Sequence, residues 1–451
     1  MSYRDKLLGL GLEDDQSLAG GEEQTVDTGA QELLEVNEVA AEIDQTHEAV
    51  AEAQESTDQL EEVAAALESM IDAGRGLSAD AARFAHQSVS FATRKFGIAT
   101  PMPAMESFST GASGQFGQTK ASLEGIKETI QKIWTWIKSQ LAKLRAHMKD
   151  FWLKTFDGAA RLKKRAEAMM KKAEGVSGAA KETQVTVSAD LVGKLHVGGK
   201  LGDVAAQLGE FKAVTDALLG KVTEEMVKGA EECSDAIKAI SFDDTAKLND
   251  GIVKYLAGRA KVSNAGKQIA SHDASGEKAH AWVKNEGMSV SRTNELLGGS
   301  AVYFFASTSQ ANGIDGLKAD AKTSGKVLGV AEKAPETKET KVATLSGGAV
   351  SKICEEVMGI AASVEAFRRN FDAQEKAKDA FTTAGKHVES EAAKAEKLDA
   401  EGQKLASAFV RAINSVPGMI DQPAQKLAQY TVSTLNAVLN FAQLHLNQYG
   451  K

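Results

Sequence analysis

The sequence has few of the residues that cross-link a fold or interrupt helices, and it has no long apolar run. It contains 2 cysteines and 5 prolines among 451 residues. Cys233 and Cys354 are far apart and neither belongs to a CxxC pair, so we expect no disulfide framework, as is usual in a reducing compartment. No run of 18 apolar residues occurs, which argues against a transmembrane helix. The N-terminal stretch MSYRDKLLGLGLEDD has no apolar core and turns acidic at once, so we expect no secretory signal.

The residues that are abundant favour long helices. Ala, Glu and Lys are common and form helices readily, whereas proline, the strongest helix breaker, is scarce. Apolar residues make up 43% of the chain, and its length fits roughly two to four domains. We therefore predict a mainly α fold of long helices and coiled-coil segments, with a small inserted β-sheet that makes the body of the protein α+β.

Charge is distributed unevenly along the chain. Residues 1–106 hold 22 acidic and 6 basic residues, a net charge of −16, whereas residues 107–451 carry a net charge of +7. Most of this basic excess lies in residues 121–175, which hold 13 bases and 6 acids. The asymmetry predicts that the acidic segment is separable, and that it masks the basic one when the two lie together.

A heptad pattern over residues 31–73 predicts a helix with a narrow apolar stripe. Its two seams are Val36, Ile43, Val50, Thr57, Ala64 and Ile71, and Val39, Thr46, Ala53, Leu60 and Leu67. Between them lie mostly Glu, Gln and Asp, which give the helix an acidic outer surface. Because the seams contain small and polar residues, we expect this helix to need a partner helix, in this chain or in another.

Glycines and prolines mark the end of the acidic segment. Two glycines follow the heptad helix, and a shorter helix is predicted over residues 78–96. Two prolines then precede residues 107–118, SFSTGASGQFGQ, which we predict to be an exposed linker. Residues 1–106 are accordingly predicted to be an acidic helical leader, and residues 107–175 a linker followed by a basic helix.

Residues 119–174 are predicted to form this basic amphipathic helix, with apolar residues recurring every three or four positions. Its polar face supplies ten candidate contacts to a nucleic-acid backbone: Lys127, Lys132, Lys138, Lys143, Arg145, Lys149, Arg161, Lys163, Lys164 and Arg165. Lys and Arg bind phosphates without reading sequence, by releasing counterions. An ordinary solvated face has the same pattern, so both interpretations stay open. The aromatic residues Trp134, Trp136, Phe151 and Trp152 are candidates for base stacking, but their helical spacing favours a place in the core.

A mixed α+β region is predicted over residues 176–348. Short strands are expected within residues 185–197, 299–307 and 326–345, and helices over residues 203–271. We expect these short strands to pair into a small sheet between the helical regions.

Residues 349–451 are predicted to form long C-terminal helices. Apolar residues spaced 3-4-3-4 predict a helix over residues 349–415, either as one rod or as a folded-back pair. Pro417 is expected to end this helix, and Pro423 suits the first turn of a last helix over residues 422–447.

No combination of residues indicates a catalytic, cofactor or metal site. Ser271, His272 and Asp273 have the residue types of a catalytic triad, but adjacent side chains cannot take up triad geometry. His272 and His280 would need further ligands to hold a metal ion. The stretch GKLHVGGK at 193–200 lacks the first glycine and the Ser or Thr of a phosphate loop, so it predicts a glycine turn between strands. We therefore predict that the protein is not an enzyme.

Two further features suggest a family. An acidic heptad-rich leader, LLEVNEVAAEIDQTHEAVAEAQESTDQLEEVAAALESM, precedes a small-residue linker and an α+β body. The segment Asn294–Gly299, NELLGG, runs into an apolar strand and is similar to a Leu-Pro-Gly-Gly turn, with Leu297 in the place of proline. In this layout the chain resembles the internal head proteins of giant φKZ-like tailed bacteriophages. The resemblance implies a virion structural protein made in the host cytoplasm and packed inside the head with DNA, other head and core proteins, and copies of itself associated through helices.

The resemblance also implies processing by the phage maturation protease, which cuts after Glu in a small-x-Glu motif. Five glutamates are candidates: Glu106, Glu124, Glu68, Glu55 and Glu42. Glu106 is the best placed, because it follows the two prolines and precedes the Ser/Gly-rich stretch, where a protease has easiest access. A cut there would remove the acidic propeptide and convert a chain of net charge −9 into one of +7.

Two other functions fit the residues without this resemblance. A cellular coiled-coil scaffold would form a stable oligomer through residues 31–73 and would not bind DNA. An α-helical pore-forming subunit would need a continuous apolar hairpin, and GSAVYFFAS at 299–307 is too short to span a bilayer.

Overall fold

The protein is mainly helical, with one two-stranded and one three-stranded antiparallel sheet. The computed structural model describes residues 26–99, 102–103, 108, 111–274, 288–307, 313–317, 338–393, 398–413 and 416–449. The helices and the small sheets confirm the predicted fold class.

The chain divides into two compact units. One is Asn37–Trp152, and the other contains Leu153–Lys451 together with Met1–Val36. The unit Asn37–Trp152 includes residues on both sides of the boundary predicted after residue 106. The four-part division made from the sequence stays a prediction.

Three helices build the unit Asn37–Trp152: α1 (Val26–Asp72), α2 (Ala79–Arg94) and the first part of α3 (Ala112–Glu174). One apolar core joins them, and its members include Val50, Leu60 and Leu67 from α1, Val89 from α2, and Ile126, Ile133 and Ile137 from α3. The predicted acidic and basic helices are therefore α1 and α3.

The prediction of an exposed linker at residues 107–118 is only partly correct where the structure describes it: Gly111, Ala112, Ser113 and Gly117 are exposed, but most of the stretch is helical. α3 already begins at Ala112, and the side chain of Phe108 is fully buried. The Gln115 side-chain amide donates a hydrogen bond to the Phe108 carbonyl oxygen at 3.1 Å. Gly76 lies so close to the Gln115 backbone that a Cβ atom at Gly76 would overlap it. Tertiary packing thus overrides the loop tendency of this run of small residues.

After α3 and a first short strand at residues 184–187, the second unit continues with a run of helices. They are α4 (Ala189–Leu195), α5 (Val204–Ala217), a π-helical turn (Leu218–Val222), α6 (Thr223–Lys238), α7 (Thr245–Asn264) and a 3₁₀ turn (Ala265–Ile269). Leu191 and Leu195 lie in α4, although the sequence predicts a strand for them. The Ser188 side chain starts α4 by accepting a hydrogen bond from the amide of Leu191, and this cap decides in favour of the helix.

The two sheets are short and antiparallel. β1 (Gln184–Val187) pairs with β5 (Thr340–Ala343), so residues that are far apart in sequence meet in one ribbon. β2 (His272–Asp273), β3 (Met288–Arg292) and β4 (Tyr303–Ser307) form the other sheet in that order. The predicted buried strand at 299–307 is confirmed as the shorter β4. Of residues 326–345, those before 338 lie outside the described residues, and β5 is the strand found in the remainder.

The C-terminal region folds back on itself instead of forming one rod. α8 spans Gly347–Ala366, α9 spans Arg368–Ala393, α10 spans Ala400–Ile413 and α11 spans Val416–Leu446. α9 and α10 share a core with α6 and α7. Tyr255 of α7 meets Phe409 of α10 edge to face, with ring centroids 5.1 Å apart. This long-range packing explains why the helix predicted over residues 349–415 is divided.

The roles predicted for the two C-terminal prolines are also wrong. Pro417 does not end a helix but lies in the first turn of α11, where its missing amide hydrogen is not needed. Pro423, which was assigned to that first turn, lies inside the helix.

Candidate functional site

The predicted seams of α1 face the core of the unit Asn37–Trp152. Buried seam residues in this unit are Val39, Ile43, Val50, Ala53, Thr57, Leu60, Ala64 and Leu67. Thr46 and Ile71 are only partly buried. The hydroxyl of Thr57 donates to the carbonyl oxygen of Ala53 at 2.9 Å, which satisfies the one polar group on this face that is fully buried. The partner helix that the sequence required is α3 of the same chain.

Ion pairs join the acidic helix to the basic one outside this core. A carboxylate oxygen of Glu68 lies 2.6 Å from the Lys127 ammonium nitrogen, and one of Glu42 lies 2.8 Å from Nδ1 of His147. Since residue 68 pairs with 127 and residue 42 with 147, α1 and α3 run antiparallel. Lys95, just after α2, pairs with Glu52 at 3.1 Å.

The apolar core, more than these ion pairs, holds α1 against α3. All the paired side chains are partly or largely exposed, and such pairs contribute about 0–1 kcal/mol each. Burying one Leu or Ile side chain contributes about 1.5–3 kcal/mol. The charged side chains therefore determine the electrostatic character of the surface, while the buried apolar seam holds the two helices together.

The ten candidate phosphate contacts lie along α3, six of them before Trp152 and four after it. Lys127, Lys132, Lys138, Lys143, Lys149, Arg161 and Lys164 are exposed, and Arg145, Lys163 and Arg165 are partly buried. They belong to two compact units, so the predicted basic face is not a property of one unit alone.

Arg165 and Lys163, in the second part of α3, contact other helices of their own unit. The Arg165 guanidinium donates to the side-chain oxygens of Asn436 and Asn440 in α11, at 2.8 and 2.7 Å. Burial lowers the pKa of Arg165 from its usual value. Lys163 lies 3.4 Å from a carboxylate oxygen of Glu365 in α8. These contacts attach the second part of α3 to α8 and α11.

The aromatic residues of α3 are buried or packed against apolar side chains, as their spacing indicates. Phe151 and Trp152 are fully buried and meet edge to face. Trp134 and Trp136 are partly buried against the core of the unit Asn37–Trp152, and the ring of Trp136 lies 5.4 Å from that of Phe96. Base stacking by these residues would require them to leave their packing.

The candidate cleavage sites differ in their backbone environment. Glu42, Glu55 and Glu68 lie inside α1, and Glu124 lies inside α3. Glu106 lies outside the described residues. A protease cuts exposed, unstructured segments most readily, so the four helical sites require local unfolding before cleavage.

The two glycine motifs singled out in the sequence are turns. Gly198 and Gly199 have φ angles of 60° and 78° and connect the bridged residues Val197 and Lys200, which confirms the predicted glycine turn. In the NELLGG segment, Gly298 and Gly299 have φ angles of 89° and 75°. Such left-handed conformations favour glycine because it has no Cβ atom.

These turns meet at the buried side chain of His196. The carbonyl oxygen of His196 accepts hydrogen bonds from the amides of Gly298 and Gly299, at 2.8 and 3.1 Å. The Glu295 carboxylate accepts one from the amide of Gly198 at 2.8 Å. A Cβ atom at Gly299 would overlap the His196 ring. The contact joins segments about a hundred residues apart, and neither motif alone indicates it.

Tyr430 connects this double turn to the C-terminal helix α11. Its hydroxyl donates a hydrogen bond to the carbonyl oxygen of Leu297. Burial raises the pKa of Tyr430 to about 12, so its hydroxyl stays protonated and able to donate. The NELLGG turn thus connects the end of α4, through His196, to α11, through Tyr430.

Where the structure describes them, the residues considered for catalysis or metal binding do not form a catalytic or metal-binding arrangement. His272 lies exposed on β2, with Nε2 2.7 Å from the side-chain oxygen of Asn294. His280 lies outside the described residues.

Both cysteine thiols are buried, and burial raises the pKa of Cys354 to about 11, which disfavours a reactive thiolate. Within the described residues, no group of three or more His, Cys, Asp or Glu side chains is arranged to hold a metal ion. Nor is any described helix both long and apolar enough to cross a membrane.

These features define a mainly α protein, in which an acidic helix covers part of a basic one. The chain belongs to the family of phiKZ-like phage internal head proteins, whose family model matches residues 32–444. This match confirms the resemblance seen in the layout of the sequence. It identifies the protein as a structural component of the inside of the phage head. No curated protein and no solved structure matches the chain.

Proposed function

We propose that the protein is a non-enzymatic head-filling protein that is made in the host cytoplasm with a removable acidic propeptide. The phage maturation protease removes the propeptide, and the remaining body packs against DNA by non-specific electrostatic contacts. The observation that carries the proposal is the antiparallel packing of α1 on α3, with Glu68 beside Lys127. This arrangement lets proteolytic removal of the acidic helix change the charge of the surface around a basic helix.

The first cut in this proposal is after Glu106. The other four candidates are within helices, where the scissile bond would have to leave its hydrogen-bonded conformation before cleavage. A cut after Glu106 separates α1 and α2 from α3 in the chain. It leaves α1 bound, because its seam still packs against Ile126, Ile133 and Ile137.

Later cuts release the acidic helix. Glu42, Glu55 and Glu68 are spaced 13 residues apart in α1. Isolated helices shorter than about 12–15 residues are marginal in water, so pieces of this length lose both helical structure and a continuous seam. Cleavage at these sites therefore follows transient fraying of α1 and makes its loss irreversible.

Loss of the acidic segment changes how the protein meets DNA. The net charge shifts from −9 to +7 when residues 1–106 are removed. Exposed bases such as Lys143, Lys149 and Lys164 then contact phosphates without a nearby excess of carboxylates. The same removal uncovers the apolar face of α3, so another head protein or another copy is expected to cover it.

N-terminal sequencing and intact-mass measurement of the protein from purified heads test the processing. A mature start at Ser107 supports the proposal. An intact chain starting at Met1 or Ser2 in mature heads contradicts it. Glu106→Gln should block the first cut, whereas Glu124→Gln, at an equally good motif inside α3, should leave processing unchanged.

DNA association is tested separately with the processed and unprocessed forms. Fluorescence anisotropy with duplex DNA should show binding by the processed form that weakens steeply with salt. The unprocessed form should bind much more weakly at the same salt concentration. Equal binding by both forms would argue against masking by the acidic segment.

A further inference from the structure

Helix α2 has an exposed aromatic face in addition to the face that packs in the core. Among the large hydrophobic residues that the structure describes, Phe84 and Phe91 are the most exposed, at 73% and 70%. The inner face of α2 is made of small residues such as Ala82, Ala85 and Val89, all buried. A helix that is apolar on two opposite sides has an unused contact surface.

The exposed residues form a regular stripe along α2. Asp80, Phe84, Gln87, Phe91 and Arg94 follow one another at spacings of 4, 3, 4 and 3, and all are exposed. This is the heptad spacing of a helix-pairing seam. The stripe covers about 21 Å along the helix axis at 1.5 Å per residue.

The order of side chains in this stripe is complementary to itself in reverse. Asp80 at one end and Arg94 at the other each lie seven residues from Gln87, and the two phenylalanines lie three residues before it and four residues after it. In an antiparallel pair of α2 helices, Phe84 of each copy lies beside Phe91 of the other. Asp80 of each copy then lies close to Arg94 of the other. A parallel pair would instead place like charges together at both ends.

We propose that this stripe, Asp80–Phe84–Gln87–Phe91–Arg94, is an isologous docking surface for a second copy of the same chain. The inference goes beyond the proposed processing and does not depend on it. A two-fold interface uses the same patch on both partners, which is what the reversed order of charges provides. Because α2 lies before residue 106, release of the propeptide in the proposed processing would also remove this docking surface.

The expected association is weak and depends on concentration. The two phenylalanines offer on the order of 300 Å² per copy, and interfaces below about 1,200 Å² in total are usually transient. Reversible contacts of this strength suit a protein that is concentrated during assembly and later loses the contact. Cleavage then removes the docking surface without opposing a tight interface.

Sedimentation velocity of the full-length chain, over roughly a hundredfold range of concentration, tests the proposal. The wild-type protein should show a monomer–dimer equilibrium. The variant F84S/F91S should weaken dimerisation by about tenfold or more, since aromatic anchors dominate such contacts. The control L153S/V253S replaces the other two exposed large hydrophobic residues that the structure describes, and it should dimerise like the wild type. A wild-type chain that stays monomeric throughout, or an F84S/F91S variant that dimerises normally, overturns the proposal.

Charge exchange tests the antiparallel arrangement. Asp80→Arg alone should weaken dimerisation several-fold, because it brings two positive charges together at each end of the helix pair. Adding Arg94→Asp should restore dimerisation, since opposite charges again meet at both ends. Gln87→Cys, near the two-fold axis, should give a disulfide-linked dimer on mild oxidation, whereas the exposed control Asp58→Cys on α1 should not. Failure of the double exchange to recover dimerisation rules out this pairing.

Discussion

The carboxylate of Glu68 in α1 lies 2.6 Å from the ammonium group of Lys127 in α3, yet neither side chain is buried. The pair marks where the acidic and basic helices meet, but it contributes little to holding them together. Beneath it, Leu60 and Leu67 of α1 are almost completely buried.

Replacing Glu68 by Gln should therefore lower the free energy of unfolding of the unit Asn37–Trp152 by less than about 1 kcal/mol. Leu60→Ala should lower it by about 2–5 kcal/mol, because it removes fully buried methyl groups and leaves a cavity. Urea denaturation followed by tryptophan fluorescence measures both, since Trp134, Trp136 and Trp152 belong to this unit. A larger effect for Glu68→Gln than for Leu60→Ala would show that charge, not packing, holds α1.

Lys378 in α9 forms a buried ion pair whose disruption should be costly. It is 1% exposed, and its ammonium nitrogen lies 2.7 Å from Asp421 of α11 and beside Glu375. Burial acts to lower the pKa of Lys378, but the two carboxylates outweigh it, and the net shift is upward. Asp421→Asn should therefore destabilise the fold by about 3–5 kcal/mol, because it leaves a charge buried with less compensation.

The control for this prediction is Lys376→Met, two residues away on the exposed side of α9. It should leave the melting temperature nearly unchanged. Replacing both partners, as in K378M/D421L, should recover much of the stability lost in Asp421→Asn. If Asp421→Asn melts like the wild type, the pair is not a structural determinant.

His445 in α11 should make stability depend on pH. Its side chain is fully buried, its Nδ1 accepts a hydrogen bond from the Leu345 amide at 3.0 Å, and burial lowers its pKa to about 4. The unfolded chain, in which a His has a pKa of about 6.5, thus binds a proton before the folded chain does. Stability should be fully present well above pH 6.5 and should fall by about 3 kcal/mol as the pH drops from there to about 4.

Thermal melts across this pH range measure the effect of His445. His445→Asn, which keeps a hydrogen-bond acceptor but cannot take up a proton, should remove this part of the pH dependence. The exposed His387 provides the comparison, and His387→Asn should leave the profile as in the wild type. An unchanged profile in His445→Asn would assign the acid sensitivity to other groups.

Gly299 should not tolerate a side chain. Its φ angle is 75°, and a Cβ atom there would overlap the His196 ring. Gly299→Ala should therefore destabilise the fold by about 1–3 kcal/mol, from backbone strain and steric overlap together. Gly348→Ala, at the start of α8, meets no neighbouring atom within 4 Å and should be neutral or slightly stabilising. Equal melting temperatures for the two variants would refute this role of the double turn.

The local pattern of the sequence predicts the helices and their buried faces well. The seam from Val39 to Leu67 in α1 follows from its heptad spacing, and the core positions of Phe151 and Trp152 follow from a 3.6-residue period. These features are predictable because the pattern that defines them lies within one helix.

The features that the sequence does not predict depend on contacts between distant segments. The small residues at 112–118 resemble a linker, yet they form the start of α3. The packing of Gly76 against the Gln115 backbone, which the local sequence does not indicate, accompanies this helix. The same holds for the divided helix at 349–415, whose ends are determined by packing against α6 and α7. The meeting of the two glycine turns at His196 has no signal in either motif, since each is an ordinary turn in isolation.

The antiparallel pairing of α1 with α3 also has a consequence for synthesis on the ribosome. α1 ends at Asp72, and the residues of α3 that cover its seam extend to about residue 148, so the seam emerges well before its cover is complete. At about 5–20 residues per second, this delay is about 4–15 seconds. During that time we expect the acidic outer face of α1 to keep nascent chains on one message apart by mutual repulsion. The order in which the two helices are translated would then give the negative charges a role before the head has begun to form.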